Sequence, residues 1–64
     1  MKITYDKEAD ALYIQLNNAI VAESDEEKPG IILDYGNDGK IVGIEILNAS
    51  QNLPQPNKVE YEIA

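Results

Sequence analysis

The chain has 64 residues, 12 acids against five lysines, and neither cysteine, histidine nor arginine. Without cysteine, disulfides, thiolate zinc sites, iron–sulfur clusters and thiol catalysis are excluded; without histidine, the commonest general base near neutral pH is gone. A net charge of −7 repels phosphate backbones, and no guanidinium is present to fork onto phosphate or guanine, so nucleic acid is not an expected partner.

The dominant period along the chain is two. Lys2-Ile3-Thr4-Tyr5 alternates as a first short strand, and Asp6 to Asp10 reads as a turn, with Asp6 placed to cap one helical turn. Ala11 to Leu16 is a half-buried strand, with Leu12, Ile14 and Leu16 on one face and Tyr13 and Gln15 on the other. After the Asn17-Asn18 turn, Ile20 to Glu26 is expected as a third strand whose acidic far end lies at a sheet edge. Pro29-Gly30 punctuates before Ile31 to Tyr35, the most apolar strand.

Asn37-Asp38-Gly39 is the strongest hairpin turn in the chain, and Ile41 to Leu47 returns from it with Val42, Ile44 and Ile46 on one face. Gly43 inside that strand marks a bulge or the close approach of a neighbour. Asn48 to Asn52 is a helical turn, and Pro54-Gln55-Pro56 fixes an extended connection. Lys58 to Ile63 alternates cleanly, with Val59, Tyr61 and Ile63 on one face, and reads as a final strand.

The expected fold is therefore mainly β, or α+β with one short helical turn. It is a small antiparallel sheet of five to six strands in one domain, residues 1–51 forming the sheet and 52–64 the proline-containing connection and last strand. One such sheet needs its apolar face covered, and the chain has no long amphipathic helix to do so. A homodimer, or a sheet curled into a small barrel or roll, is the expected solution. No apolar run approaches the roughly 20 residues that span a bilayer, and the polar start is no signal peptide, so no membrane contact and a cytoplasmic location are expected.

Three separated blocks carry a family resemblance: Tyr5-Asp6-Lys7-Glu8-Ala9-Asp10-Ala11-Leu12-Tyr13-Ile14, Pro29-Gly30-Ile31-Ile32-Leu33-Asp34-Tyr35, and Gly43-Ile44-Glu45-Ile46-Leu47-Asn48-Ala49-Ser50. In this order they resemble a large family of short prokaryotic proteins, domain of unknown function 2283, from Met1 to about Ser50. The resemblance implies a compact β-rich unit with no established activity and no agreed catalytic residues. Some members accompany small toxin-like proteins, so it also implies an antitoxin-like role as a class of hypothesis.

Few residues invite chemistry. Asp6, Glu8 and Asp10 share the spacing of the first ligands of a calcium loop, but Ala11 stands where that loop needs glycine and Asn17 where it needs glutamate, which favours a capped, solvated turn. Asp34 and Glu45, in the two strands of one hairpin, are a carboxylate pair with no accompanying nucleophile or oxyanion donor. No catalytic constellation is found and no cofactor or metal ligand set is assigned.

Interaction residues are better candidates. They are Tyr13, which lies opposite the apolar face of its strand, the acidic run Glu23, Asp25, Glu26 and Glu27, and Tyr61 on the final strand. The reading is a small acidic protein-interaction module, a homodimer able to meet a basic protein partner; the alternative is a carboxylate-based metal or small-ligand binder.

Overall fold

The computed structural model, which describes residues 1–64, is a five-stranded antiparallel sheet followed by one helical turn. The strands are β1 (Lys2–Asp6), β2 (Ala11–Gln15), β3 (Glu23–Lys28), β4 (Ile31–Tyr35) and β5 (Ile41–Ile46), and the turn is α1 (Ala49–Asn52). They lie in the order β1-β2-β5-β4-β3, so the last strand in sequence sits at the centre and β1 and β3 form the two edges. The sheet is open, not the closed barrel or roll offered as one expectation.

Turn chemistry sets the registers. Asp6 accepts at Oδ1 from the backbone N–H of Glu8 (3.0 Å) and of Ala9 (3.2 Å), so it caps the β1–β2 turn as expected. Gly39 takes φ 80° in the β4–β5 turn, a conformation L side chains avoid, while Asp38 accepts from the Lys40 N–H at 3.0 Å. The β4–β5 ladder slips once, between Asp34 and Tyr35, and the β3–β4 ladder once, between Glu26 and Lys28. Extra residues of this kind are β-bulges, which bend and twist a strand.

Facing pairs sort the side chains into two faces. Ile3 faces Ile14, which faces Ile44, which faces Leu33; Tyr5 faces Leu12, which faces Ile46, which faces Ile31. This face is apolar across four strands. On the opposite face Thr4, Tyr13 and Glu45 run on to Ile32 and Glu26, beside Gly43, Asp34 and Ser24.

Cover for the apolar face comes from α1 and the tail behind it, and it is partial. Leu12, Val42 and Ala49 are the buried apolar residues, and no large side chain is fully enclosed. Leu53, Pro54 and Val59 stand over Ile3, Leu12 and Ile46 with a groove of about 360 Å³ left between them. No helix is long and apolar enough to cross a membrane.

Two expected strands differ from the observed ones. The third begins at Glu23, three residues later than expected, and runs to Lys28; Ala22 still donates to the Tyr35 carbonyl at 2.7 Å, but Ile20 and Val21 lie outside the ladder. Its residues Glu23-Ser24-Asp25-Glu26-Glu27-Lys28 are all exposed, so pairing to β4, and not hydrophobic burial, holds it in the sheet. Lys58 to Ile63 forms no strand in this chain, because the connection through Pro54 lays it over the apolar face, where Lys58, Val59 and Glu60 lie beside Ile3 with no backbone hydrogen bond to β1.

Burial ranks the expected cost of substitution. Leu12→Ala should lose about 2–4 kcal/mol of stability in urea unfolding at fixed protein concentration. Ile20→Ser, at a side chain 84% exposed, should change it by less than about 0.5 kcal/mol.

Candidate functional site

The polar face is organised by one carboxylate in the middle of the sheet. Asp34 on β4 faces Gly43 on β5, and Gly43 faces Gln15 on β2, two positions along from Tyr13. Gly43 has no side chain, and the Tyr13 ring occupies the vacancy: a Cβ added there would collide with the Tyr13 hydroxyl and its ring carbon. The ring thus crosses β5 diagonally, and its hydroxyl donates to Asp34 Oδ2 at 2.8 Å. From the other side the Ser24 hydroxyl donates to Asp34 Oδ1 at 2.6 Å. Three neighbouring strands and β3 are tied through one residue.

The hydrogen bonds act on the Tyr13 phenol. Burial pushes the Tyr13 phenol above its ordinary pKa, and its hydrogen bond to the Asp34 carboxylate adds to the shift, as does the negative charge of Asp34 and Glu45. Asp34 and Glu45 are not opposite one another, since Glu45 faces Ile32 and Tyr13. Both Asp34 oxygens accept from hydroxyl donors, Tyr13 and Ser24, and not from a partner shared with Glu45.

A second carboxylate pins α1. Asp10 ends the β1–β2 turn with φ 52°, in the left-handed region where aspartate is tolerated because its short side chain bonds locally. Its carboxylate accepts from the Tyr5 hydroxyl at 2.7 Å, the Ser50 hydroxyl at 2.7 Å and the Ser50 N–H at 3.0 Å; its carbonyl accepts from the Ala49 N–H at 2.9 Å. The bond from Ser50, and then that from Tyr5, hold the Asp10 carboxyl below its usual range, and the same Asp10 contact raises the Tyr5 phenol. Asp6 and Asp10 are thus spent on the turn, and no group of three or more acids converges as metal ligands would.

The remaining candidate residues lie at the rim. Glu23, Asp25, Glu26 and Glu27 form the exposed β3 edge. Glu27 accepts from the Tyr35 hydroxyl at 2.8 Å, which raises the Tyr35 phenol, and Glu26 accepts from the Gly30 N–H at 2.9 Å. Glu23 and Asp25 make no side-chain hydrogen bond. Tyr61 is 74% exposed in the tail, far in kind from half-buried Tyr13.

A family model described as protein of unknown function (DUF2283) matches residues 2–50. The chain belongs to this family. No curated protein and no solved structure matches it significantly. The matched span holds the whole sheet and the start of α1, and leaves the proline-containing tail outside. Both carboxylate clusters join residues distant in sequence within that span: Asp10 binds Ser50, and Asp34 binds Tyr13 and packs against Gly43.

Sequence reasoning paired Asp34 with Glu45 and missed both clusters. Gly43 was the available signal: a glycine in a central strand leaves a gap that an aromatic on the neighbouring strand can cover. Nothing in the local sequence announces that Ser50 meets Asp10, forty residues away.

Two outcomes follow from these clusters. Gly43→Ala should cost about 1–3 kcal/mol by displacing Tyr13 from Asp34, and most of that cost should vanish in a Tyr13→Ala background, as a double-mutant cycle in urea would show. Ser50→Ala acts through Asp10, whose folded pKa lies below its unfolded one. That contribution is complete above the unfolded pKa and is lost as pH falls through the folded value. The stability gap between Ser50→Ala and the parent, measured by thermal unfolding from pH 7 downward, should therefore narrow in acid.

Proposed function

We propose that the chain is a cytoplasmic protein-interaction module that works as a homodimer. The observation that carries this is the partly uncovered apolar face. The molecule exposes 5035 Å², whereas a monomer of its mass is expected to expose about 4,100 Å². The excess, roughly 900 Å², is close to the roughly 800 Å² that each partner buries in a standard interface. Exposed Ile3, Leu16, Val59, Tyr61 and Ile63 contribute to it. A second copy would remove that surface from water at a gain of roughly 25 cal/mol per Å² of apolar area, before the cost of association.

The β3 edge supports the other half of the reading. Four exposed acids on one edge strand repel acidic partners and attract a basic protein, speeding its encounter. A small basic toxin-like protein would be a partner of that chemistry.

Sedimentation equilibrium at micromolar concentration should give the dimer mass; a monomer with a well-dispersed NMR spectrum across that range would defeat the homodimer. For the acidic edge, a basic protein should be retained by the immobilised chain at low salt and released at high salt. Glu23→Lys with Asp25→Lys should abolish that retention and leave the dimer intact. Failure to retain any basic protein at low salt would remove this half.

A further inference from the structure

The tail is a strand without a sheet. Lys58 to Ile63 alternates polar and apolar, yet no backbone N–H of residues 59–64 donates to a backbone carbonyl. Its apolar side chains are largely in water: Val59 55%, Tyr61 74% and Ile63 86% exposed. Its one ion pair, Lys58 to Glu60 at 3.4 Å, is internal to the segment. The sheet meanwhile has a free edge at β1, whose outward backbone groups are a template for another strand.

We propose that Lys58 to Ile63 pairs antiparallel with β1 of a second copy as a sixth strand, reciprocally, in the register that sets Lys58 opposite Asp6 and Glu62 opposite Lys2. This rests on the homodimer reading above. The register is chosen by chemistry. It places Val59 against Tyr5, Tyr61 against Ile3 and Ile63 against Met1, extending the apolar face by one strand. On the polar face it makes two opposite-charge pairs and sets Glu60 beside Thr4. The parallel alternative over the same residues sets Lys58 against Lys2 and Glu62 against Asp6, two like-charge pairs that destabilise a ladder. The other edge, β3, would oppose Glu60 and Glu62 with four acids.

In this chain the tail makes no backbone hydrogen bond to its own β1. Asp10 holds α1 at the turn end of β1, and the tail then crosses the apolar face, so that Val59 and Glu60 flank the groove alongside Ile3. Tyr61 and Ile63 are already in water beyond that point. A partner copy needs only the tail to swing outward at Pro54-Gln55-Pro56, and the apolar face it vacates is then open to the other copy.

The chain has no cysteine, so cross-linking is clean. Facing strand residues lie about 4.5–5.5 Å apart at Cα, within disulfide reach. Full-length Thr4→Cys mixed with full-length Glu60→Cys should give a covalent heterodimer on mild oxidation, and Ser24→Cys with Glu60→Cys should not. Lys2→Glu should weaken the dimer by about tenfold, because each dimer carries the pair twice, and Glu62→Lys in the same chain should restore it. Glu60→Pro with Tyr61→Pro should weaken it by about 100-fold, since successive N–H groups point to opposite sides and one of the two must be a ladder donor. A Thr4→Cys/Glu60→Cys chain that closes on itself as a monomer would overturn the exchange, as would cross-linking to Ser24→Cys instead. A dimer unmoved by the double proline would overturn it while leaving the homodimer standing; a monomeric parent would end both.

Discussion

A single sheet with one apolar face must hide that face, and here the covering element is too small for it. The apolar stripe runs through Ile3, Ile14, Ile44 and Leu33 across four strands, and a second row through Leu12, Ile46 and Ile31 runs beside it. Against this the chain sets one four-residue helical turn and a proline-stiffened tail. Ala49 is fully buried where α1 touches the sheet, but only Leu12 and Val42 join it as buried apolar residues. A domain of this length has little surplus stability, so a half-covered row of isoleucines is a large fraction of what is available. The placement of α1 therefore matters, and Asp10 fixes it with three hydrogen bonds from the other side of the chain.

The opposite face solves a different problem. It is polar and could be left to water, yet it is crossed by a tyrosine lying flat over Gly43. The gain is mechanical: Tyr13 on β2 reaches Asp34 on β4 without a side chain from β5 between them, and Ser24 carries the link to β3. β3 has no apolar side chain of its own to bury, so ties of this kind, with the backbone ladder, are what keep it attached. Hydroxyl-to-carboxylate bonds are stronger than neutral ones, and half-burial strengthens them further.

Strand positions were legible because alternation, Asn37-Asp38-Gly39 and Pro29-Gly30 act locally. β4 coincides with the expected Ile31 to Tyr35, and the helical turn falls where Asn48 to Asn52 suggested. The third strand was shifted because hydrophobicity pointed to Ile20 and Val21, whereas the register is set by the Pro29–Gly30 turn and by β4, which draw the acidic residues into the ladder. The last strand was legible as a pattern and absent as a ladder, since alternation reports what a segment can bury and says nothing of who supplies the partner. The two carboxylate clusters were illegible for a related reason: the residues that satisfy Asp10 and Asp34 include Ser50 and Tyr13, brought near only by the strand order.

That strand order leaves two edges, and their chemistry is unequal. β3 carries four acids on a strand of six, which keeps copies of the chain from adding to one another there, because any acidic strand approaching it meets like charge. β1 has only Lys2 and Asp6 as charged members, one at each end, so a strand with a base and an acid at matching ends finds attraction at both. In this chain that description fits Lys58 to Ile63, whose Tyr61 and Ile63 side chains are largely in water. Charge thus opposes the approach of an acidic strand at β3, while β1 presents one base and one acid at its two ends, and the two edges differ in the sign pattern that a neighbouring strand would meet.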